Sequence, residues 1–124
     1  MDITPLISAD RQVIQAYGDG GFRISGRGHT GSVLIFPGRT EVWPVASLAE
    51  VTLANLEAVS REQPAIEILL IGTGSRMQLL PASVRRQLRE AGIVADLMDT
   101  GAACRTYNVL MMEDRRVAAA LIAI

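Results

Sequence analysis

Two short glycine-bearing stretches hold most of the chemistry that this sequence could perform. Gly72-Thr73-Gly74-Ser75 follows an apolar run, and glycines in that setting let a backbone approach a ligand and turn its amide N–H groups toward an anion. A dinucleotide fingerprint would need a third glycine where Met77 stands, and in the other glycine cluster Arg23 occupies that place. The stretch therefore reads first as a tight turn, with Arg76 beside it as a guanidinium suited to a phosphate or carboxylate. The second stretch, Leu97-Met98-Asp99-Thr100-Gly101-Ala102, reproduces the short signature of an aspartic protease, in which two such aspartates share a proton and activate water. Those proteases are nearly all β, whereas this signature stands between a strand and an amphipathic helical pattern. Capping of the following helix by Asp99 or Thr100 is the expected use.

Other reactive side chains lack partners. Cys104 falls near the start of that helix and beside Arg105, where the helix dipole lowers a thiol pKa, but the sole imidazole, His29, sits in a glycine-flanked loop far away in sequence. A small buried hydrophobe is the simpler role for Cys104. No carboxylate stands at helical spacing from His29, so no metal site is legible. Glu113-Asp114-Arg115-Arg116 reads as a polar turn that, with Arg105, Thr106 and Asn108, could form a lip above a binding crevice.

Composition narrows the classes further. The 124 residues suit one domain, and 49% hydrophobic against 20% charged residues is a balance that folds. All 12 basic side chains are arginine, which excludes a Schiff-base lysine and the lysine of a P-loop. A net charge of −1 supplies no positive field for nucleic acid. The lone cysteine suits a reducing compartment, residues 1–12 show neither a signal nor a transit pattern, and no apolar run approaches a membrane span. The expected location is cytoplasmic, peripheral to a membrane at most.

These groups need positioning elements, and the hydrophobic periodicity supplies them. Val13 to Tyr17 and Phe22 to Ser25 flank a Gly-rich turn as a hairpin, and Ser32 to Phe36 with Glu41 to Val45 form a second strand pair around Pro37-Gly38. Ser47 with Glu50 has the form of a capping box opening a helix to about Arg61. Ile66 to Ile71 is apolar on both faces, as in a strand covered on each side. A helix from Pro81 to Gly92, a strand from Ile93 to Met98, a helix from Ala102 to Met112 and a strand from Arg116 to Ile124 complete the order. The alternation predicts an α/β fold of three layers: a central mixed β-sheet flanked by helices, with an N-terminal β-hairpin region. Ligands of such sheets collect beyond the carboxyl ends of the parallel strands, here 72–75 and 99–101.

Taken together, Leu69-Leu70-Ile71-Gly72-Thr73-Gly74, Met98-Asp99-Thr100-Gly101-Ala102-Ala103, Arg105-Thr106-Tyr107-Asn108-Val109-Leu110 and Arg116-Val117-Ala118-Ala119 form a specific set. With Tyr17-Gly18, Phe22-Arg23-Ile24 and Trp43-Pro44-Val45 it resembles a small conserved family, long catalogued as a domain of unknown function, that includes the mitochondrial complex I assembly factor 3. The resemblance implies a three-layer α/β fold. It also implies a non-enzymatic part in assembling the NADH:ubiquinone oxidoreductase, with a protein partner such as a membrane complex subunit or assembly factor; bacterial members point to membrane-protein biogenesis. It carries over no catalytic residue and no cofactor. The expected binding surface comprises Gly72, Thr73, Gly74, Arg76, Thr100, Arg105, Thr106, Asn108, Glu113 and Arg116. The alternative is a small anion, or an enzyme's substrate, held on the amides of Gly74 and of the helix after Thr100. On the partner reading, truncating Thr100 or Asn108 should weaken partner recovery and leave the melting temperature nearly unchanged.

Overall fold

Strand-forming residues between Ile14 and Val42 build two separate sheets. In the computed structural model, which describes residues 11–124, β1 (Ile14–Gly18), β2 (Gly21–Ile24) and β3 (Arg27–Thr30) form a small antiparallel sheet. β4 (Val33–Phe36) and β5 (Arg39–Val42) are the second hairpin and open a five-stranded sheet of order β5-β4-β8-β6-β7. The remaining strands are β6 (Ile68–Gly72), β7 (Ala95–Met98) and β8 (Val117–Leu121). β4 runs antiparallel to β5 and β8, while β6 is parallel to β7 and β8, so the large sheet is mixed. The α/β class and the N-terminal antiparallel strands agree with the sequence reading. Residues 1–10, on which most of the leader reading rests, lie outside the described part.

Two expectations need correction. His29 belongs not to a loop but to β3, where it stands opposite Phe22; one apolar-poor, glycine-bearing run hid this third strand. The single helix predicted from Ser47 to Arg61 is two 3-10 turns, Leu48–Glu50 and Ala54–Leu56, followed by the short α1 (Glu57–Arg61). Local side chains break it. Val51 is extended, the Asn55 side chain accepts from the Thr52 N–H and donates to the Glu50 carbonyl, and the Thr52 hydroxyl accepts from the Asn55 N–H. These bonds offer the backbone partners that a helix would otherwise supply. The Glu50 carboxylate still reaches back to the Ser47 N–H at 3.0 Å.

The crossovers then set the layers. β6 passes through α2 (Ala82–Glu90) to β7 at the sheet's edge, and β7 returns through α3 (Thr100–Met112) to β8 on the other side of β6. Right-handed crossovers in opposite directions put their helices on opposite faces. One face buries Phe36, Trp43, Leu69 and Ile71 against Leu88 of α2 and Leu56 and Val59 of the irregular segment. The other packs Ile35, Leu70 and Val117 against Tyr107 and Met111 of α3 and Phe22 and Ile24 of the small sheet. That outer layer is thus part helix, part sheet. In β8 three successive alanines are fully buried at the sheet's centre, and their small side chains leave room for large ones from both sides.

Candidate functional site

The carboxyl ends of β6, β7 and β8 meet at one rim, where both glycine-bearing turns lie side by side. The Thr100 N–H donates to the Gly74 carbonyl at 2.8 Å, the Thr73 N–H to the Met98 carbonyl at 2.9 Å, and the Ile122 N–H to the Gly72 carbonyl at 3.0 Å. At the junction sits the fully buried Thr100. Its hydroxyl donates to the Ile122 carbonyl at 2.8 Å and accepts from the Gly74 N–H at 3.0 Å, tying the exits of β6 and β8 to the start of α3.

Glycine at two of these positions allows close approach rather than an unusual dihedral angle. A Cβ on Gly72 would lie 3.0 Å from the Thr100 Cα, and one on Gly101 would lie 2.7 Å from Tyr17 Oη. Tyr17 in turn accepts a hydrogen bond from Arg105 Nη1 at 2.9 Å, so the close approach of α3 brings the small sheet to the same end of the helix. Asp99 is the N-cap of α3, its carboxylate accepting from the Ala102 N–H at 3.1 Å. That geometry uses the aspartate of the protease-like signature as a helix cap.

Part of the anion cradle expected from these turns is occupied by the chain's own side chains. Thr100 satisfies the Gly74 amide and Asp99 satisfies that of Ala102, so two of the donors named for a bound anion are engaged within the chain. Thr100 and Asn108 likewise correct the expected surface. The half-buried Asn108 donates its side-chain N–H to the Ile14 carbonyl at 2.8 Å and accepts from the Ile14 N–H at 2.9 Å, fastening β1 to α3. Both residues are structural fasteners, so their truncation will not leave the melting temperature unchanged.

The predicted polar lip is also not assembled. Glu113 follows the 13-residue α3, about 20 Å of helix from the rim, and Arg116 precedes β8, where its N–H and Nε donate to Glu67 and to the Ala65 carbonyl. The cluster is the expected turn from α3 to β8, with Asp114 at a φ of +63°, but it belongs to the opposite end of the sheet. Of the expected residues, Gly72 and Thr73 are buried at the rim, Gly74 and Thr106 are half-buried, and only Arg76 and Arg105 are exposed there.

What the rim does present was missed in the sequence. The Thr73 hydroxyl donates to the Arg76 carbonyl at 2.8 Å and accepts from the Gln78 N–H at 3.1 Å, folding residues 73–78 into a fixed turn. Leu80 anchors the turn in the core, while Met77 and Leu79 stay 52% and 62% exposed. Apolar residues that fit no strand or helix phase were the available signal. A shallow recess of about 550 Å³ beside the turn is lined by Ser47, Arg76, Gln78 and Ile124 among others.

Two titratable groups of the described residues, Cys104 and His29, are displaced from their ordinary values by their surroundings. Burial pushes the Cys104 thiol up to about 12, against the opposing pull of Arg105, so no thiolate forms at neutral pH. His29 is held below its ordinary value by partial burial and by Arg27. Among the described residues no group of three or more His, Cys, Asp or Glu could hold a metal, and no helix is long and apolar enough to cross a membrane.

Comparison with known proteins places this geometry. The chain is 36% identical over 115 residues to NADH dehydrogenase (ubiquinone) 1 alpha subcomplex assembly factor 3 of Xenopus tropicalis, covering 93% of this chain and 63% of that protein's length. It is 38% identical over 109 residues to an uncharacterized protein of Rhodobacter capsulatus, covering 88% of this chain and 82% of that one. The crystal structure of an outer membrane protein from Bartonella henselae matches with a TM-score of 0.84 at 43% identity, covering 93% of this chain and 97% of that one. A sequence profile of one family matches residues 14–122. The chain therefore belongs to the family described as a protein of unknown function (DUF498/DUF598).

Proposed function

We propose that this chain is a docking module that promotes assembly of a membrane-bound protein complex, with the respiratory NADH dehydrogenase as the favoured client. The observation that carries the reading is the fixed turn at the rim. The buried Thr73 hydroxyl holds its shape, while Met77 and Leu79 are held out in water, an arrangement suited to contact with another protein. Arg76, exposed within that turn, adds charge for orientation. The likeness to the Xenopus assembly factor supports the choice of client, and it extends over 63% of that protein. A cytoplasmic location beside the membrane belongs to the same reading. The alternative of a bound anion has lost the Gly74 and Ala102 amides that recommended it.

Deletion of the gene in its own organism tests the proposal. Membranes from the deletion strain should show subassemblies of NADH dehydrogenase on native gels and lowered NADH oxidation. Wild-type chain should restore both, and the Met77→Asp, Leu79→Asp double variant should not, although it melts like wild type. An intact complex in the deletion strain, or full restoration by the double variant, would refute the reading.

A further inference from the structure

The two edges of the large sheet differ in a way that the rim does not explain. At β5 the edge is guarded by charge: Arg39 pairs with Glu41 and with Glu62, each at 2.6 Å, and stacks on Phe36. Such charges keep a foreign strand from adding to the sheet. At the other edge β7 pairs with β6 alone among the described residues. The Leu69 N–H donates to the Val94 carbonyl and the Thr73 N–H to the Met98 carbonyl, so the parallel ladder uses the alternate residues 94, 96 and 98. The N–H and C=O groups of Ala95 and Leu97 therefore point outward.

Directly beside this edge, α2 and β7 enclose a groove of about 380 Å³. Leu88 forms its floor, Ile93, Ala95 and Leu97 its half-buried wall, and Val94 stands 62% exposed at its mouth. The charged groups lining it are Arg85 and Arg89. Asp96, the acid of β7, alternates to the opposite face of the sheet, and Glu90 is not part of the lining.

We infer that β7 and this groove bind an extended segment of a partner protein by strand addition, the segment carrying aliphatic side chains at alternate positions and a carboxylate on the same face. Each part follows from the geometry. Outward amides and carbonyls at alternate residues require an extended backbone; a period of two then sends alternate side chains into the groove beside Ala95 and Leu97. The exposed guanidinium of Arg89 lines the groove and suits a negative charge, while the Nε of Arg85 donates to the Leu80 carbonyl. Charge also argues against a second copy as the occupant. Antiparallel pairing of two β7 edges about a two-fold axis would set two α2 helices side by side, each with Arg85, Arg86 and Arg89 against a single Glu90. This surface is separate from the Met77 turn, and the inference stands whether or not the client is a respiratory complex.

The test uses isotopically labelled chain and a short synthetic peptide alternating isoleucine or valine with threonine and ending in glutamates. Titration followed by NMR should shift the β7 resonances and slow hydrogen exchange at the Ala95 and Leu97 amides. Arg89→Glu should weaken this peptide about tenfold and favour a matching peptide that ends in lysines. Arg89 lies exposed, so the variant keeps its fold, which the unshifted spectrum of β8 would establish. The inference is overturned by any of three results: no binding at millimolar peptide, binding indifferent to Arg89→Glu, or concentration-dependent protection of Ala95 and Leu97 without peptide, which would mean that a second copy takes the edge.

Discussion

Replacing Thr100 by valine keeps the shape of a fully buried side chain and deletes its hydroxyl, so it isolates the two hydrogen bonds at the rim. The Ile122 carbonyl loses a buried donor at 2.8 Å, and the Gly74 N–H loses a partly buried acceptor at 3.0 Å. A buried polar group left unpaired costs about 1–3 kcal/mol, and the more exposed amide stands at the low end because water can reach it. The sum is about 3 kcal/mol, a large part of the roughly 5–15 kcal/mol that holds a domain together. For a chain of this size that loss lowers the melting temperature by about 10 °C. Thr100→Ser retains the hydroxyl and sheds one methyl, at a cost of about 1 kcal/mol. Urea titration and thermal melting followed by circular dichroism should therefore rank wild type above serine and serine above valine by about 2 kcal/mol. A valine variant as stable as the serine variant would refute the role assigned to the hydroxyl.

Asn108→Ala should remove both bonds to Ile14, cost about 2 kcal/mol in urea titration and speed amide exchange in β1 and β2 more than in β6. Equal acceleration throughout the chain would argue against a local fastening role. Gly21→Ala places a Cβ 2.3 Å from the His29 backbone carbonyl oxygen, so β2 and β3 must separate; a loss of about 2 kcal/mol is expected, and an unchanged melting temperature would count against the close strand approach. Iodoacetamide at pH 8 should modify Cys104 only in denaturant, as mass spectrometry will show, because burial raises its pKa to about 12. The same raised value gives stability that is intact below the unfolded thiol's ordinary 9.0 and declines as pH climbs toward about 12; buried Tyr107, also shifted upward, adds to that alkaline loss. A flat urea midpoint between pH 9 and 11 in wild type, matched by Cys104→Ala, would contradict it.

Much of the fold was legible because its signals are local. The both-faces-apolar run at 68–71, the alanine-rich 117–121 and the Gly92 stop after α2, at a φ of +80°, mark elements that need no knowledge of their neighbours. The break at Val51 to Asn55 was hidden, since an apolar helical pattern outvoted the capacity of Thr52 and Asn55 to bond their own backbone. The site was read less well. Sequence placed its two turns together but not what fills the space between them: a threonine hydroxyl serves a ligand or a carbonyl with equal chemistry, and only the burial of Thr100 decides. Glu113 and Arg116 were misplaced because sequence proximity to Asn108 says nothing about which end of a helix faces the rim. Met77, Leu79 and the β7 groove depend on what other segments leave uncovered, a property of the whole chain.

The alanine-rich β8 has a consequence for how the chain comes to be made. It is last of the strands in order yet sits between β4 and β6, with Val33 opposite Leu121 across most of the sequence. As the polypeptide leaves the ribosome, the β4–β5 hairpin and the β6–α2–β7 unit must wait as unjoined halves, each with a hydrogen-bonding border open. Closing so distant a pair is entropically slow, and open borders invite wrong pairings meanwhile. Any species caught before residues 117–121 are inserted is a sticky, half-zipped intermediate.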